Sequence, residues 1–218
     1  DDHISFFLRV PNPNSELCVS CHDANAEHVG ARNHPIGVDM EGAWPPELAD
    51  AHSERGRDHD VTCQSCHTPH GTGLSDLLVM PVEQSELCAA CHSGHVATAE
   101  GDWPLSHPVN LIPEEGTDTR SLVEHGGRLG EGGSVGCLSC HSTHSGVADD
   151  GVLVMDNSDD ALCLLCHGEM TSLDHTPHAL ASTAPDLSNV QGRPAASAGS
   201  CSGCHLPHGA MGPMLWAR

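Results

Sequence analysis

Apolar residues along this chain occur in short runs that polar residues, glycine and proline interrupt. Two runs of bulky apolar side chains, Leu77–Met80 and Val152–Met155, predict short strands or loop anchors. No run approaches the roughly 20 apolar residues that a membrane-spanning helix needs. The 23 glycines and 15 prolines are spread over the whole length, which breaks up regular elements. The pattern predicts mostly irregular coil with short helices and very little sheet.

Bulky side chains are scarce for a chain of 218 residues. Aromatic residues make up 2% of it, with no tyrosine, two phenylalanines and three tryptophans. Such a chain buries too little apolar side-chain area to offset the entropy lost when its backbone is ordered. Something other than side chains must therefore supply the core.

The charge is strongly negative. Eight basic residues, all arginine, stand against 30 acidic residues, and the formal net charge is −22. This balance argues against nucleic acid and anionic membrane surfaces as partners. The acidic surface either keeps the protein in solution or docks a basic redox partner.

Every cysteine belongs to a Cys-x-x-Cys-His motif. The six motifs are Cys18–Cys21–His22, Cys63–Cys66–His67, Cys88–Cys91–His92, Cys137–Cys140–His141, Cys163–Cys166–His167 and Cys201–Cys204–His205. Two thiols at this spacing lie on one helical turn and bond to the two vinyl positions of one porphyrin, while the adjoining histidine ligates the iron. The motifs thus predict six covalently bound haem c groups.

Zinc and disulfides are the alternatives to haem at these motifs. Paired cysteines also make structural zinc sites, but zinc does not require a histidine after every pair. With 19 histidines in 218 residues, six such coincidences have a probability of roughly 10⁻⁷. A disulfide framework would also vary its spacings more freely.

The motifs recur in pairs. Ser-Glu-Leu precedes both Cys18 and Cys88, and Asp-Ala-Leu precedes Cys163. The second motif of each pair carries a further histidine three residues on, at His70, His144 and His208. The repeat predicts an N-terminal segment (1–14), available for an inter-subunit contact, and three two-haem modules at 15–84, 85–159 and 160–218.

These motifs resemble the paired-CxxCH family of multihaem c-type cytochromes. The resemblance covers nearly all of residues 15–210 and implies a multihaem cytochrome c fold, with a stack of haems as the core. It also implies that most haems have histidine on both faces of the iron. The proximal ligands are then the six motif histidines, and the distal ligands come from outside the motifs.

Six histidines are the candidate distal ligands. His70, His144 and His208 lie too close to their own proximal histidines to reach round the same ring, so each is expected on the face of a neighbouring haem. The other three lie 12, 15 and 11 residues after a first-motif histidine, far enough to loop over a ring: His34, His107 and His178. The remaining histidines stay open as alternatives: His3, His28, His52, His59, His95, His125 and His175.

Saturated bis-histidine iron leaves no position for a substrate, so we expect an electron-transfer protein rather than an enzyme. A multihaem reductase would need a haem with an open face and a pocket with acid–base groups. Because c-type haem is attached outside the cytoplasm and no leader precedes Asp1, we expect an exported chain from which a signal peptide was removed.

The two ends of the chain also predict an assembly. The C-terminal residues stop partway through an apolar run that Phe6–Pro11 resumes at the other end. His3 lies upstream, where it would be able to ligate a haem of an adjoining subunit. A head-to-tail contact of this kind builds a filament, similar to extracellular cytochrome filaments. The alternative is a soluble periplasmic or cell-surface shuttle between redox partner proteins or extracellular acceptors.

Overall fold

The computed structural model describes residues 8, 12–25, 33–40, 42–96, 105–147, 151–212 and 214–217. Over these residues short helices interrupt a mostly irregular backbone. In chain order the α-helices are α1 (Glu16–Val19), α2 (Pro46–Asp50), α3 (Cys63–Cys66), α4 (Glu86–Cys91), α5 (Thr119–Glu124), α6 (Cys137–Cys140), α7 (Ala161–Leu164), α8 (Leu180–Thr183) and α9 (Ala195–Ala198). The 3₁₀ helices are Asp23–Asn25, Ser75–Leu77, Ser93–His95, Glu131–Gly133, Gly168–His175 and Cys201–Gly203.

Backbone pairing between segments is limited to isolated antiparallel bridges in the part of the chain that the structure describes. Three of these bridges join the histidine of a second motif to the segment that follows it: His67 to Leu78, His141 to Leu153 and His205 to Trp216. The apolar runs therefore act as anchors for the motifs and do not build a sheet. The predicted fold class, irregular coil with short helices at the haem motifs and very little sheet, is confirmed.

Three motif helices begin after a residue with positive φ. Ser15 before α1, Ser85 before α4 and Asp160 before α7 have φ of 71°, 69° and 59°. A non-glycine residue in this left-handed region is uncommon and costs conformational energy. All three side chains are buried, so the surrounding structure holds them in this conformation.

The apolar side-chain core that the structure describes is small. Its main cluster consists of Leu48, Leu78, Val79 and Leu87, where α2 lies against α4. Other apolar side chains, such as Ile112 and Val123, are exposed. The buried apolar side chains that the structure describes thus form only a small core.

No described helix is long and apolar enough to cross a membrane. His3, His28 and the apolar residues Phe6 and Phe7 lie outside the described residues. The predicted roles of these residues stay predictions.

Candidate haem-ligation sites

All six motifs share one backbone contact. In each, the histidine N–H donates to the carbonyl of the first cysteine, over 2.9 to 3.0 Å. This bond closes a single helical turn, which brings both thiols and the imidazole to one side of the backbone. None of the twelve cysteines is in a disulfide, so each motif has two sulfurs for thioether bonds and one imidazole for an iron.

The second motif of each pair also holds its imidazole in one tautomer. Nδ1 of His67, His141 and His205 lies 2.8, 2.6 and 2.8 Å from the carbonyl oxygens of Asp76, Gly151 and Met214. A backbone carbonyl only accepts, so Nδ1 carries the proton and the lone pair is left on Nε2. Such a contact orients a metal-ligating imidazole and raises its basicity.

The residue after each of these carbonyls is conformationally strained. Leu77, Val152 and Leu215 have φ of 56°, 49° and 56°. For a β-branched residue such as Val152 this region is a genuine outlier. The same strained turn at all three second motifs aims a carbonyl at the proximal imidazole, and strain of this kind concentrates at functional sites.

Two non-motif histidines hold their rings in the same way. Nδ1 of His34 and Nδ1 of His107 each lie 3.1 Å from the carbonyl oxygen of the proline that follows. Their Nε2 atoms are therefore the lone-pair nitrogens, as in the three second-motif histidines. This geometry suits both residues to be distal ligands.

Four pairs of imidazole rings face one another at the spacing that a shared iron requires. A metal–nitrogen bond of about 2 Å on each side, with about 1.1 Å from nitrogen to ring centre, separates two ring centres by roughly 6 Å. The ring centroids of four pairs lie 6.0, 6.3, 6.2 and 6.1 Å apart: His34–His92, His107–His167, His67–His144 and His141–His208. Each pair joins a motif histidine to a predicted distal histidine.

All four pairings cross from one predicted module to the next. The spacing in the sequence suggested that His34 loops over the ring ligated by His22. In the structure His34 lies opposite His92 instead. The reason is a backbone contact: His34 N–H donates to the carbonyl of Thr143 over 2.8 Å, and His107 N–H donates to that of Pro207 over 2.7 Å. These bonds hold each segment against the following module.

Two motif histidines face no other histidine ring among the described residues. His22 makes no ring contact there, and the ring of His205 stacks on Trp216 with centroids 4.9 Å apart and planes 20° apart. Two predicted distal ligands, His70 and His178, also face no ring among the described residues. Both side chains are exposed. The sequence offered no sign of the Trp216 contact beyond the position of that residue in the module repeat.

His95 lies close to two ligand pairs. Its ring centroid is 5.9 Å from that of His92 and 4.9 Å from that of His208. His95 N–H donates to the carbonyl of His92 over 2.9 Å, so this tether is too short to carry its ring round a porphyrin. The structure therefore favours His34 as the residue opposite His92.

The other alternative histidines that the structure describes lie apart from these pairs. His52 and His59 lie in turns at φ of 59° and 68°. Nδ1 of His125 donates to the carbonyl of Ser121 over 2.7 Å. His175 ends a 3₁₀ helix and is exposed. None of the four faces a motif histidine within the described ranges.

The surroundings of four of these imidazoles favour the neutral form. Burial lowers the pKa of His92, His107 and His144, and nearby imidazoles lower each further. Burial beside His95 and His141 lowers the pKa of His208 to about 4. Nδ1 of His208 is buried and makes no hydrogen bond in the described structure. A neutral imidazole is the form that ligates a metal.

One buried polar side chain joins the two motifs of each predicted module. Ser15 Oγ and Ser85 Oγ accept from the backbone N–H of Cys63 and Cys137, over 2.9 and 3.0 Å. Asp160 Oδ1 accepts from Cys201 N–H over 3.0 Å. The two attachment points of a module are thereby held at a fixed separation.

A separate metal site is a poor explanation of these cysteines. One oxygen of Asp160 and the sulfurs of Cys163 and Cys201 lie within 4.8 Å of one another, but the carboxylate already accepts two backbone N–H groups. Each motif also has a histidine directly after its second cysteine, which haem c attachment requires and a zinc site does not. The donor set fits haem c.

Comparisons with known proteins agree with this donor set. The family described as "Doubled CXXCH motif" matches residues 55–97 and 130–172. Each match spans a boundary between two predicted modules, and the first and sixth motifs lie outside both. Over 160 residues the chain is 27% identical to the multiheme cytochrome MtrA of Shewanella baltica (strain OS185).

That alignment covers 69% of this chain and 37% of the relative, so the chain spans well under half of that protein's length. No solved structure matches the chain.

Proposed function

We propose that this chain, a multihaem c-type cytochrome, carries electrons along six c-type haems attached at its six motifs. The observation that carries the proposal is the set of four facing imidazole pairs with centroids 6.0 to 6.3 Å apart. Haem iron held between two imidazoles changes oxidation state without exchanging a ligand, which suits it to outer-sphere electron transfer.

The residues of the chain perform three tasks in this proposal. The cysteines would tether each porphyrin, and at the four paired sites the facing imidazoles would hold the iron between them and leave no position for a substrate. Carbonyls such as those of Asp76 and Gly151 hold Nδ1 of the proximal rings. Rings fixed in this way need little rearrangement when the charge of the site changes.

The pairing also explains how successive sites stay close together. Each of the four facing histidines comes from a neighbouring module, so one chain segment bridges two attachment points. His208, for example, is opposite His141 and lies 4.9 Å from the ring of His95, beside His92. We propose that the six sites form a continuous series along the molecule.

We further propose that the chain associates head to tail into a conductive filament outside the cell and delivers electrons to redox partner proteins or an extracellular acceptor. Apolar side chains beside His205 support this: Met211, Met214 and Trp216 are 54, 63 and 46% exposed. A neighbouring apolar surface of this kind favours association. The alternative is a soluble periplasmic or cell-surface shuttle, which the net charge of −22 favours through mutual repulsion.

A reductase is a second candidate function, and a different observation supports it. His22 and His205 face no other histidine ring among the described residues, as an open catalytic site would require. Such a site would bind carbon monoxide or cyanide in the native assembled protein. Absence of that binding would remove the reductase reading.

Haem content and ligation test the proposal. The exported, haem-loaded protein is purified, its haem is counted by pyridine haemochrome and mass spectrometry, and its axial ligands are identified by near-infrared magnetic circular dichroism. We expect six haems per chain, with bis-histidine signatures at the four paired sites. Fewer haems, methionine ligation at those four sites or bound zinc would contradict the proposal.

A further inference from the structure

The residue before the first-motif helix carries a charge in only one of the three predicted modules. Ser15 and Ser85 stand at this place in the first and second modules, and Asp160 stands there in the third. All three side chains are buried, and Asp160 is only 7% exposed. Each accepts the backbone N–H of the first cysteine of the second motif. The third module thus makes the same contact with a carboxylate instead of a hydroxyl.

The carboxylate of Asp160 does the work of two hydroxyls in the other modules. There a second serine, Ser65 or Ser139, accepts the N–H of the residue before that cysteine, over 2.9 and 3.0 Å. The third module has Gly203 at this place, and Asp160 Oδ2 accepts the equivalent N–H, from Ser200, over 2.8 Å. Both carboxylate oxygens therefore accept a backbone N–H, which is the hydrogen-bonding pattern of an ionised carboxylate.

Gly199 leaves the space that this carboxylate occupies. Gly199 has φ of 81°, and a Cβ at this position would overlap Asp160 Oδ1. The equivalent residues of the other two modules, two positions before the second motif, are Val61 and Val135. The chain thus combines a carboxylate with glycine and a serine with valine, which indicates that the local backbone accommodates the charge.

Asp160 lies beside the attachment points of two haems. One of its oxygens and the sulfurs of Cys163 and Cys201 lie within 4.8 Å of one another. Cys163 belongs to the fifth motif and Cys201 to the sixth, so these sulfurs serve two different porphyrins. A charge at this position acts on both haems. Because the carboxylate is buried, water and salt screen it less than they screen a surface charge.

We propose that Asp160 lowers the reduction potentials of both haems of the predicted third module. This inference rests on the proposed function, electron transfer along six c-type haems. Reduction of an iron from Fe(III) to Fe(II) adds one electron, which a neighbouring haem or a redox partner protein supplies, and a fixed negative charge repels it. At an effective dielectric constant of about 20, one charge roughly 10 Å away changes the ratio of reduced to oxidised centres roughly tenfold. Asp160 thus disfavours an electron in the third module relative to the second.

The first test removes the charge and keeps the shape of the side chain. Asp160→Asn is made in the exported, haem-loaded full chain, and Asp159→Asn removes the same charge from the exposed residue before it. Potentials are measured by titration with redox mediators, followed by visible absorption and electron paramagnetic resonance. In Asp160→Asn two of the six haems should shift to higher potential, with roughly tenfold more reduced iron at a given applied potential. The other four haems, and all six in Asp159→Asn, should change by less than about twofold.

A second test builds the charged arrangement in another module. Ser85→Asp combined with Val135→Gly places a carboxylate and its glycine in the second module, and Val135→Gly alone is the matched control. The double variant should lower the potentials of two haems, and these should differ from the two that Asp160→Asn raises. Because this test leaves the third module unchanged, it decides the question even where Asp160→Asn fails to mature. A full haem count confirms the maturation of each variant.

Several results would overturn the role of Asp160. They are unchanged potentials in Asp160→Asn with all six haems attached, an equal shift in Asp159→Asn, and a uniform shift of all six haems. A double variant that lowers no potential below that of Val135→Gly would have the same consequence. In all these cases the haem count and ligand signatures of the wild type stay as proposed. Failure of the proposed function itself would appear in the wild type, as fewer haems or as other axial ligands.

Discussion

The angle between facing imidazole planes divides the four ligand pairs into two classes. The planes of His34 and His92 lie 74° apart and those of His107 and His167 lie 71° apart. The other two pairs, His67–His144 and His141–His208, have planes only 28° and 24° apart. The two pairs at first motifs thus have near-perpendicular planes, and the two pairs at second motifs have near-parallel ones.

This difference has a calculable effect on ferric low-spin iron. Each imidazole raises the iron d orbital that overlaps its π system, and the contributions of two ligands add as the cosine of the angle between their planes. The splitting is then about 0.3 of its maximum for the first class and about 0.9 for the second, roughly a threefold difference. A small splitting of the iron d orbitals gives a strongly anisotropic electron paramagnetic resonance signal with a large maximum g value. A large splitting gives an ordinary rhombic signal.

Replacement of one distal ligand from each class tests this reasoning. In oxidised protein at low temperature, His144→Ala should remove one rhombic signal and His34→Ala one large-g signal, as measured by spin counting in electron paramagnetic resonance. Each variant should gain one high-spin signal of equal integrated intensity. A loss from the opposite class, or a single class of signals in the wild type, would refute the assignment of these pairs.

Three further predictions concern stability and association. Ser85→Ala removes a buried hydroxyl and leaves the half-buried N–H of Cys137 without its partner, so urea unfolding of the haem-loaded protein should show a loss of about 0.5–1.5 kcal/mol. Ser93→Ala, at an exposed position, should change little, and equal losses would contradict the role of Ser85. Gly130→Ala puts a Cβ 1.9 Å from the Glu83 carbonyl oxygen and should sharply lower the yield of mature protein, whereas Gly168→Ala meets nothing within 4 Å and should mature normally. Because each copy has a net charge of −22, added salt should strengthen self-association by screening repulsion, and weaker association at high salt in sedimentation measurements would contradict an apolar junction.

The haem chemistry of this chain could be predicted from local spacing alone. A Cys-x-x-Cys-His motif is a single helical turn, and its geometry is decided by a few adjacent residues. The short apolar runs and the spread of glycine and proline likewise predicted coil with short helices. Both features are local or compositional, so a single sequence is enough to recognise them.

The partner of each distal ligand could not be predicted, because it depends on contacts between distant segments. His34 is 12 residues from His22 in sequence but faces His92, since its N–H is bonded to Thr143 more than 100 residues away. Spacing shows that a loop is long enough to reach a ring and does not show which ring it reaches. Docking of one module on the next decides that.

The residue before each first-motif helix recurs in the sequence, but the sequence does not show what its side chain does. Ser15, Ser85 and Asp160 occupy the same place in the sequence repeat, three residues before a cysteine. The repeat showed that this position matters. Only the structure shows that each side chain accepts a hydrogen bond from the second motif of its module.

The most direct test of the account is an experimental density map of the haem-loaded protein at a resolution that shows the axial ligands. We expect an iron between Nε2 of His67 and Nε2 of His144, and another between those of His141 and His208. The same map should place His34 opposite His92 and His107 opposite His167, each pair on one porphyrin. A map in which the two members of these pairs ligate different irons, or in which a methionine takes the distal position, would contradict the account.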